Sequence, residues 1–361
     1  MPTAVTFSIL MLIVGMMVII AFGFSLERIR HLEDKERAEA AFYALELRIM
    51  SDSSFVVDDI FKEYKVLSNS RDLIFARETM YGLYGLLEMR YGPSAGKSET
   101  STKITGTKEL PYRTGLLIPF SDGGYVSLGE DCLLSDVVML PKGVYRKIHT
   151  RKSRKNLNDI QVSSSPEELP EFSSNAIEAV KDIYEMYAET DVTLTSNDTV
   201  PDNIITGRVI RVDSSFYNSV QIFATDSIIV SSGAILKYPS GIFLNSSEGH
   251  ILIDNNAVVE GYAIVKDMSN TSKSEADKNI CFHLSPEGRI RGFVYVDGTA
   301  QLNGHITGSV YVRVPVEQTD KGISRMTLFN LTQTKSIGYA YPLIFDNVLN
   351  RSIIKNYETI L

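Results

Sequence analysis

Residues 288–296 read GRIRGFVYV. A small-x-apolar-x-Gly unit, Gly288 to Gly292, is followed by an alternating run, Phe293 to Val296. The same unit recurs at Ala257-Val-Val259-Glu-Gly261, followed by Tyr262 to Val265. It recurs again at Ala300-Gln-Leu302-Asn-Gly304, followed by His305-Ile-Thr and Gly308 to Val312. A looser copy is Ala234-Ile-Leu236, with Gly241-Ile-Phe after Tyr238-Pro239-Ser240. Runs this short do not stay folded alone, whereas stacked copies bury a continuous core. A glycine tolerates positive φ or close packing where each rung turns, which makes Gly241, Gly261, Gly292 and Gly304 the expected corners. The pattern predicts a mainly β protein ending in a right-handed β-helix-like solenoid. Short strands with turn signals every 8–12 residues also suit a β-sandwich, and the shared motif favours the solenoid.

The amino terminus carries the other strong signal. No ionisable side chain precedes Glu27, and Ala4 to Leu26 is almost wholly apolar. As a helix it is about 34 Å long, enough for a hydrocarbon core of about 30 Å. The run exceeds the apolar stretch of a signal peptide, so it is expected to remain as a single membrane span. Arg28, Arg30, Lys35 and Arg37 crowd its carboxyl side, which by the positive-inside rule favours a cytoplasmic body. From Ser25 to about Met50 good helix formers continue without Gly or Pro. Ile29, Leu32, Phe42, Leu45 and Ile49 form a partly apolar stripe, with Ile29, Phe42 and Leu45 the expected packing residues.

Between these ends the chain is expected to hold a short helix over Val56–Leu67, then strands in the aromatic stretch LIFARETMYGLYGLLEMRY, residues 73–91. Further short strands are expected near Gly115–Phe120 and Leu133–Leu140. Ser173 or Ser174 caps a helix reaching Glu189, whose Ile177, Val180, Ile183, Tyr184 and Tyr187 form a buried stripe. The predicted organisation is a transmembrane anchor over 1–26 and a helical juxtamembrane segment over 27–70. A β-rich membrane-proximal domain over 71–172, a connecting helix over 173–189, a β-solenoid over 190–345 and a tail over 346–361 follow.

The small-x-apolar-x-Gly rungs resemble those of bactofilins, polymer-forming bacterial cytoskeletal β-helix proteins, although the insertion Lys266–Asn279 departs from their compact rungs. The apolar helix continuing into ERAEAAFYALE, residues 36–46, is similar to the amino-terminal helix of pilin and pseudopilin proteins, without their early glutamate. Phe216–Leu244 and the Tyr81–Tyr84 hairpin resemble membrane-anchored bacterial proteins whose activity is uncharacterised. These resemblances imply a structural or scaffolding role by self-association or by docking other envelope proteins. They place the chain in the bacterial inner membrane through residues 4–26, with an extracytoplasmic carboxyl-terminal domain as the preferred arrangement and a cytoplasmic, membrane-tethered scaffold as the alternative.

Catalytic signatures are weak. YGPSAGKSET, residues 91–100, looks like a phosphate loop, but Gly92 and Gly96 enclose three residues rather than four. Ser94 to Lys97 spells S-x-x-K without the S-D-N and K-T-G partners of that chemistry. The stretch is read as a hairpin turn. His31, His149, His250, His283 and His305 fall in different segments without metal-ligand spacing. Cys132 and Cys281 are too few and too far apart for a disulfide framework. Asp213, Asp226, Asp254 and Asp297 sit near strand ends, where a glycan-active solenoid would gather carboxylates and where ordinary turns also use Asp. A net charge of -8 argues against a nucleic-acid partner. The one basic cluster, Arg146, Lys147, Arg151, Lys152, Arg154 and Lys155, is a candidate anion-binding patch or a solvated loop. The expected protein is not an enzyme and takes no cofactor, metal or small-molecule substrate.

Overall fold

The computed structural model describes residues 2–52, 55–65, 74–92, 99–120, 124–129, 131–135, 137–148, 160–185, 190–246, 248–268, 280–319, 322–335, 338–346 and 351–356. Strands account for 48% of the described residues, so β pairing rather than helix packing carries the architecture. The chain forms two compact units, Met1–Glu78 with Leu87–Thr102, and Thr79–Leu86 with Lys103–Leu361.

The first unit begins with α1, Pro2–Ser51, a single uninterrupted helix. It is long and apolar enough to cross a membrane, with a mean hydropathy of 2.7 over its most apolar stretch. Its carboxyl-terminal third changes character. Ala38, Ala41, Phe42, Leu45 and Ile49 are buried, at the three- and four-residue spacings that share one helical face. Phe42 meets Tyr91 edge to face at 6.5 Å. Beyond the helix the expected short helix over Val56–Leu67 is absent from its described residues. Lys62–Tyr64 instead pairs antiparallel with the Ile74–Tyr81 strand. Tertiary contacts override local propensity here, because the guanidinium groups of Arg77 and Arg90 lie over the Phe61 ring at 4.7 and 4.1 Å.

The second unit rests on three parallel ladders. In the first, Ile222, Ile242, Ala263, Val294 and Val310 are successive register partners. In the second the partners are Ile210, Ile228, Ile251, Phe282 and Ala300. In the third they are Leu236, Val259, Ile290 and Ile306, continuing to Gln333 and Leu134. One strand, Arg289–Leu302, enters the third, first and second ladders in turn. The side chains that point inward from all three ladders share one apolar core.

Part of the expected β-rich domain, the strands Leu116–Leu117, Val137–Leu140 and Gln161–Ser164, belongs to this same sheet, while Ile74–Tyr81, Tyr84–Tyr91 and Glu99–Thr107 lie in a separate five-stranded sheet. Val310 pairs with Leu116, Leu116 with Val138, and Val137–Leu140 with Gln161–Ser164, all parallel. Chain order and stacking order therefore differ, since the strand after His305–Thr319 in the ladder comes from earlier in the sequence. The helix expected to divide the chain is α2, Ser174–Glu185. Ser173 Oγ accepts the Ala176 N–H at 3.2 Å, a helix N-cap. Rather than separating domains, α2 lies within the second unit and buries Ala176, Val180 and Ile183 in a second core with Phe223, Phe243, Tyr295 and Tyr311. Period-two alternation explains the two cores. Val294 and Val296 face the inner one, Phe293 and Tyr295 the outer one, and both faces are buried, as parallel sheets require.

The rungs align through a column of glycines. Gly261, Gly292 and Gly308 are register partners, with φ of +137°, +141° and +146°. A Cβ on each would overlap the carbonyl oxygen of the preceding rung: Ser240 for Gly261, Gly261 for Gly292 and Gly292 for Gly308. Gly292→Ala therefore combines backbone strain with a collision against main chain, and the variant is expected to lose at least about 3 kcal/mol or fail to fold. Gly322→Ala has φ strain at +121° with open space around it and should cost about 1–2 kcal/mol. Thermal unfolding of the two variants, followed by circular dichroism, checks the order; equal losses would contradict it.

Candidate functional site

The residues singled out from the sequence fall in different places. Phe42 and Leu45 are buried on α1, whereas Ile29 is 51% exposed. Gly261 and Gly292 lie inside the continuous strands Val258–Val265 and Arg289–Leu302, between the residues that pair in the third ladder, Val259 and Ile290, and those that pair in the first, Ala263 and Val294. They serve as close-approach positions. Gly241 also lies within a strand, Ile235–Leu244, where a Cβ would enter the Tyr262 ring. Gly304 faces the carbonyl oxygens of Gly288 and Ser285 at 2.5 and 2.6 Å from an added Cβ. Arg146 and Lys147 are exposed on the strand Tyr145–Ile148. Arg151, Lys152, Arg154 and Lys155 lie outside the described residues, as does the Ser94–Lys97 stretch.

The carboxylates near strand ends each have a local structural partner. Asp226 and Asp191 hold Arg208 at 2.9 and 2.8 Å. Asp297 is gripped by Arg313 and by Lys266 at 3.5 Å. Asp213 accepts the Ser215 N–H at 2.9 Å, as in an Asx turn, and Asp254 accepts the N–H of the next residue, Asn255, at 2.7 Å. His283 Nδ1 and Gln301 Oε1 are 3.1 Å apart. Among the described residues no group of three or more His, Cys, Asp or Glu is placed to hold a metal ion. Cys132 and Cys281 are buried free thiols, and burial pushes the Cys132 thiol up to about 11, away from nucleophilic character.

One organising polar side chain gave no signal in the sequence. Gln221, 1% exposed, opens the strand Gln221–Val230. Its Oε1 accepts the Leu83 N–H at 3.1 Å and the Tyr262 hydroxyl at 2.7 Å, while its Nε2 donates to the Tyr81 carbonyl at 3.0 Å. It thereby ties the Tyr81–Leu83 turn to the parallel sheet. Tyr84 and Tyr262, tilted against each other with centroids 5.6 Å apart, have hydroxyls held well above the ordinary tyrosine range by burial.

Among the described residues several strands pair on one side only, at the edges of three separate sheets. Among the described residues, Asp191–Leu194 pairs only with Ile204–Val212, and Tyr145–Ile148 only with Val126–Gly129, both in parallel. Gln161–Ser164 is likewise terminal. The first edge is acidic, with exposed Asp191 and, in the loop that follows, exposed Asp198 and Asp202. The Asp198 carboxyl is held below its usual range by the Thr195 N–H and hydroxyl. The edge at Tyr145–Ile148 is basic, through Arg146 and Lys147. No protein-family model, curated protein or solved structure matches the chain.

Replacing Gln221 by Leu orphans two buried donors and one buried acceptor, at about 1–3 kcal/mol for each group left unpaired. Gln221→Leu is therefore expected to destabilise the second unit by about 3 kcal/mol or more in urea denaturation. A change below about 0.5 kcal/mol would remove Gln221 from this role.

Proposed function

We propose that this chain is a non-enzymatic, membrane-anchored scaffold of the bacterial cell envelope, whose β-solenoid domain associates end to end with further copies or docks other envelope components. The observation that carries the reading is the pair of edge strands with opposite charge, Asp191–Leu194 and Tyr145–Ile148. An unpaired edge presents free N–H and C=O groups to another strand. A basic edge meeting an acidic one favours a heterologous head-to-tail contact over a symmetric one. The three ladders, visited in turn by successive chain segments, support a solenoid architecture, and α1 supplies a helix of spanning length.

The expectation is that full-length protein in detergent forms oligomers in sedimentation analysis, and that these weaken as salt is raised. Arg146→Glu with Lys147→Glu should leave monomers, and so should Asp191→Lys. Mixing the two variants should restore a limited association, because one reversed end then meets the other. Asp191→Lys loses an exposed ion pair to Arg208, worth at most about 1 kcal/mol, so the fold should survive. Monomers at every concentration, or oligomers indifferent to both variants, would sink the end-to-end contact.

We infer an extracytoplasmic position for the second unit from the likeness of α1 to pilin-type helices. The opposite reading, a cytoplasmic tethered scaffold, is favoured by Arg28, Arg30, Lys35 and Arg37. Protease added to cells with a permeabilised outer envelope separates the two. Digestion of Lys103–Leu361 without lysis supports the first reading, and protection until the inner membrane is lysed supports the second.

A further inference from the structure

The second unit contains a cleft of about 400 Å³ that none of the preceding features uses. That volume falls within the roughly 300–1,000 Å³ of small-ligand sites. It is lined by Lys108, Arg113 and Lys335, which are exposed, and by Tyr112, Tyr339 and Tyr341, which are half-buried. One carboxylate, Glu109, also lines it and pairs with Arg113. The lining thus carries a positive excess in a chain whose net charge is -8.

Each cleft tyrosine packs against a further aromatic ring, fully buried for Tyr311 and Phe293 and half-buried for Tyr238. Tyr112 meets Tyr311 at 6.4 Å, Tyr339 meets Tyr238 at 4.9 Å, and Tyr341 meets Phe293 at 6.0 Å, all edge to face. Further contacts fix two of these braces. The Tyr311 hydroxyl donates to the Tyr112 carbonyl at 2.6 Å and accepts the Tyr112 N–H at 3.1 Å. The Tyr238 hydroxyl donates to the Ala340 carbonyl at 3.1 Å and accepts the Ala340 N–H at 2.8 Å. The Tyr341 hydroxyl and Ser309 Oγ lie 3.5 Å apart at the wall. Rings held in this way lose little conformational entropy when a ligand binds, which is how preorganised aromatic sites gain affinity.

We propose that this cleft binds an acidic saccharide, a sugar bearing a carboxylate or phosphate. Flat rings with hydroxyl tips offer apolar contact to the faces of a sugar and both donors and acceptors to its hydroxyl groups. Lysine and arginine at the rim supply charge-assisted bonds to its anionic group. A nucleic acid would demand a basic surface well beyond one cleft. A purely apolar ligand would match neither the positive excess of the rim nor the hydroxyl tips of the tyrosines. The site is independent of the edge strands and stands whether or not copies of the chain associate.

Calorimetric titration of the full-length protein in detergent tests this with trigalacturonate, glucose 6-phosphate and an N-acetylmuramic-acid disaccharide. Neutral galactotriose, inorganic phosphate and a short Asp/Glu peptide serve as comparisons. At least one acidic sugar is expected to bind at least tenfold more tightly than every comparison compound. The same sugar should bind at least about tenfold more weakly to Lys108→Ala with Lys335→Ala, and more weakly to Tyr339→Leu. Thermal unfolding of both variants checks that they remain folded. Binding of none of the acidic sugars would overturn the proposal. So would equal or tighter binding of the peptide or of phosphate, and so would sugar binding that survives in folded variants.

Discussion

The second unit depends on how closely its rungs approach at Gly261, Gly292 and Gly308. At each position the carbonyl oxygen of the rung before occupies the space a Cβ would need, and φ lies where other residues are strained. Because those contacts are main chain against main chain, no neighbouring side chain can move aside to relieve them. The column therefore holds the rungs in register, and register decides which residues face inward. A shift by one residue would exchange the valines of Phe293–Val296 with its aromatics.

Two cores follow from that alternation. The inner one is aliphatic, built from the branched residues of three ladders, and fills the space between them. The outer one is aromatic, and it exists because the sheet's outer face is covered by α2, by the Tyr81–Tyr84 turn and by Phe345. Gln221 fastens that turn with three hydrogen bonds. A polar residue at the start of a buried strand would be costly if unsatisfied; here it specifies which loop covers the sheet. The same aromatic layer braces the tyrosines of the cleft, so packing and the proposed binding surface share their supports.

The scaffold reading draws on what the fold leaves unpaired. Parallel ladders satisfy every interior strand but leave an edge at each end. In this chain the Asp191–Leu194 edge of the large parallel sheet and the Tyr145–Ile148 edge of a separate three-stranded sheet differ in charge. The proposed saccharide cleft lies in the second unit, and the first unit holds a helix long enough to span a membrane.

Local pattern made much of this legible. The apolar run at the amino terminus, the period-two runs and the repeated small-x-apolar-x-Gly unit are properties of consecutive residues, and they determined the apolar helix and the parallel, stacked character of residues 204–312. The glycines were recognisable as special: Gly241, Gly261 and Gly292 lie where the chain passes from the third ladder to the first, and Gly261 and Gly292 also allow the close approach of neighbouring rungs. The strand at Lys62–Tyr64 leaves no local signal, because its partners Ile74–Ala76 and the Arg77 and Arg90 guanidiniums over Phe61 lie beyond the segment. Only tertiary structure could join Val310 to Leu116, or Gln221 to the turn at Tyr81–Leu83. The cleft likewise gathers Lys108, Arg113 and Lys335 from separate segments. Pairings between residues more than a hundred positions apart leave no periodicity in the sequence, because the free energy that selects them is gained only when both partners are buried together.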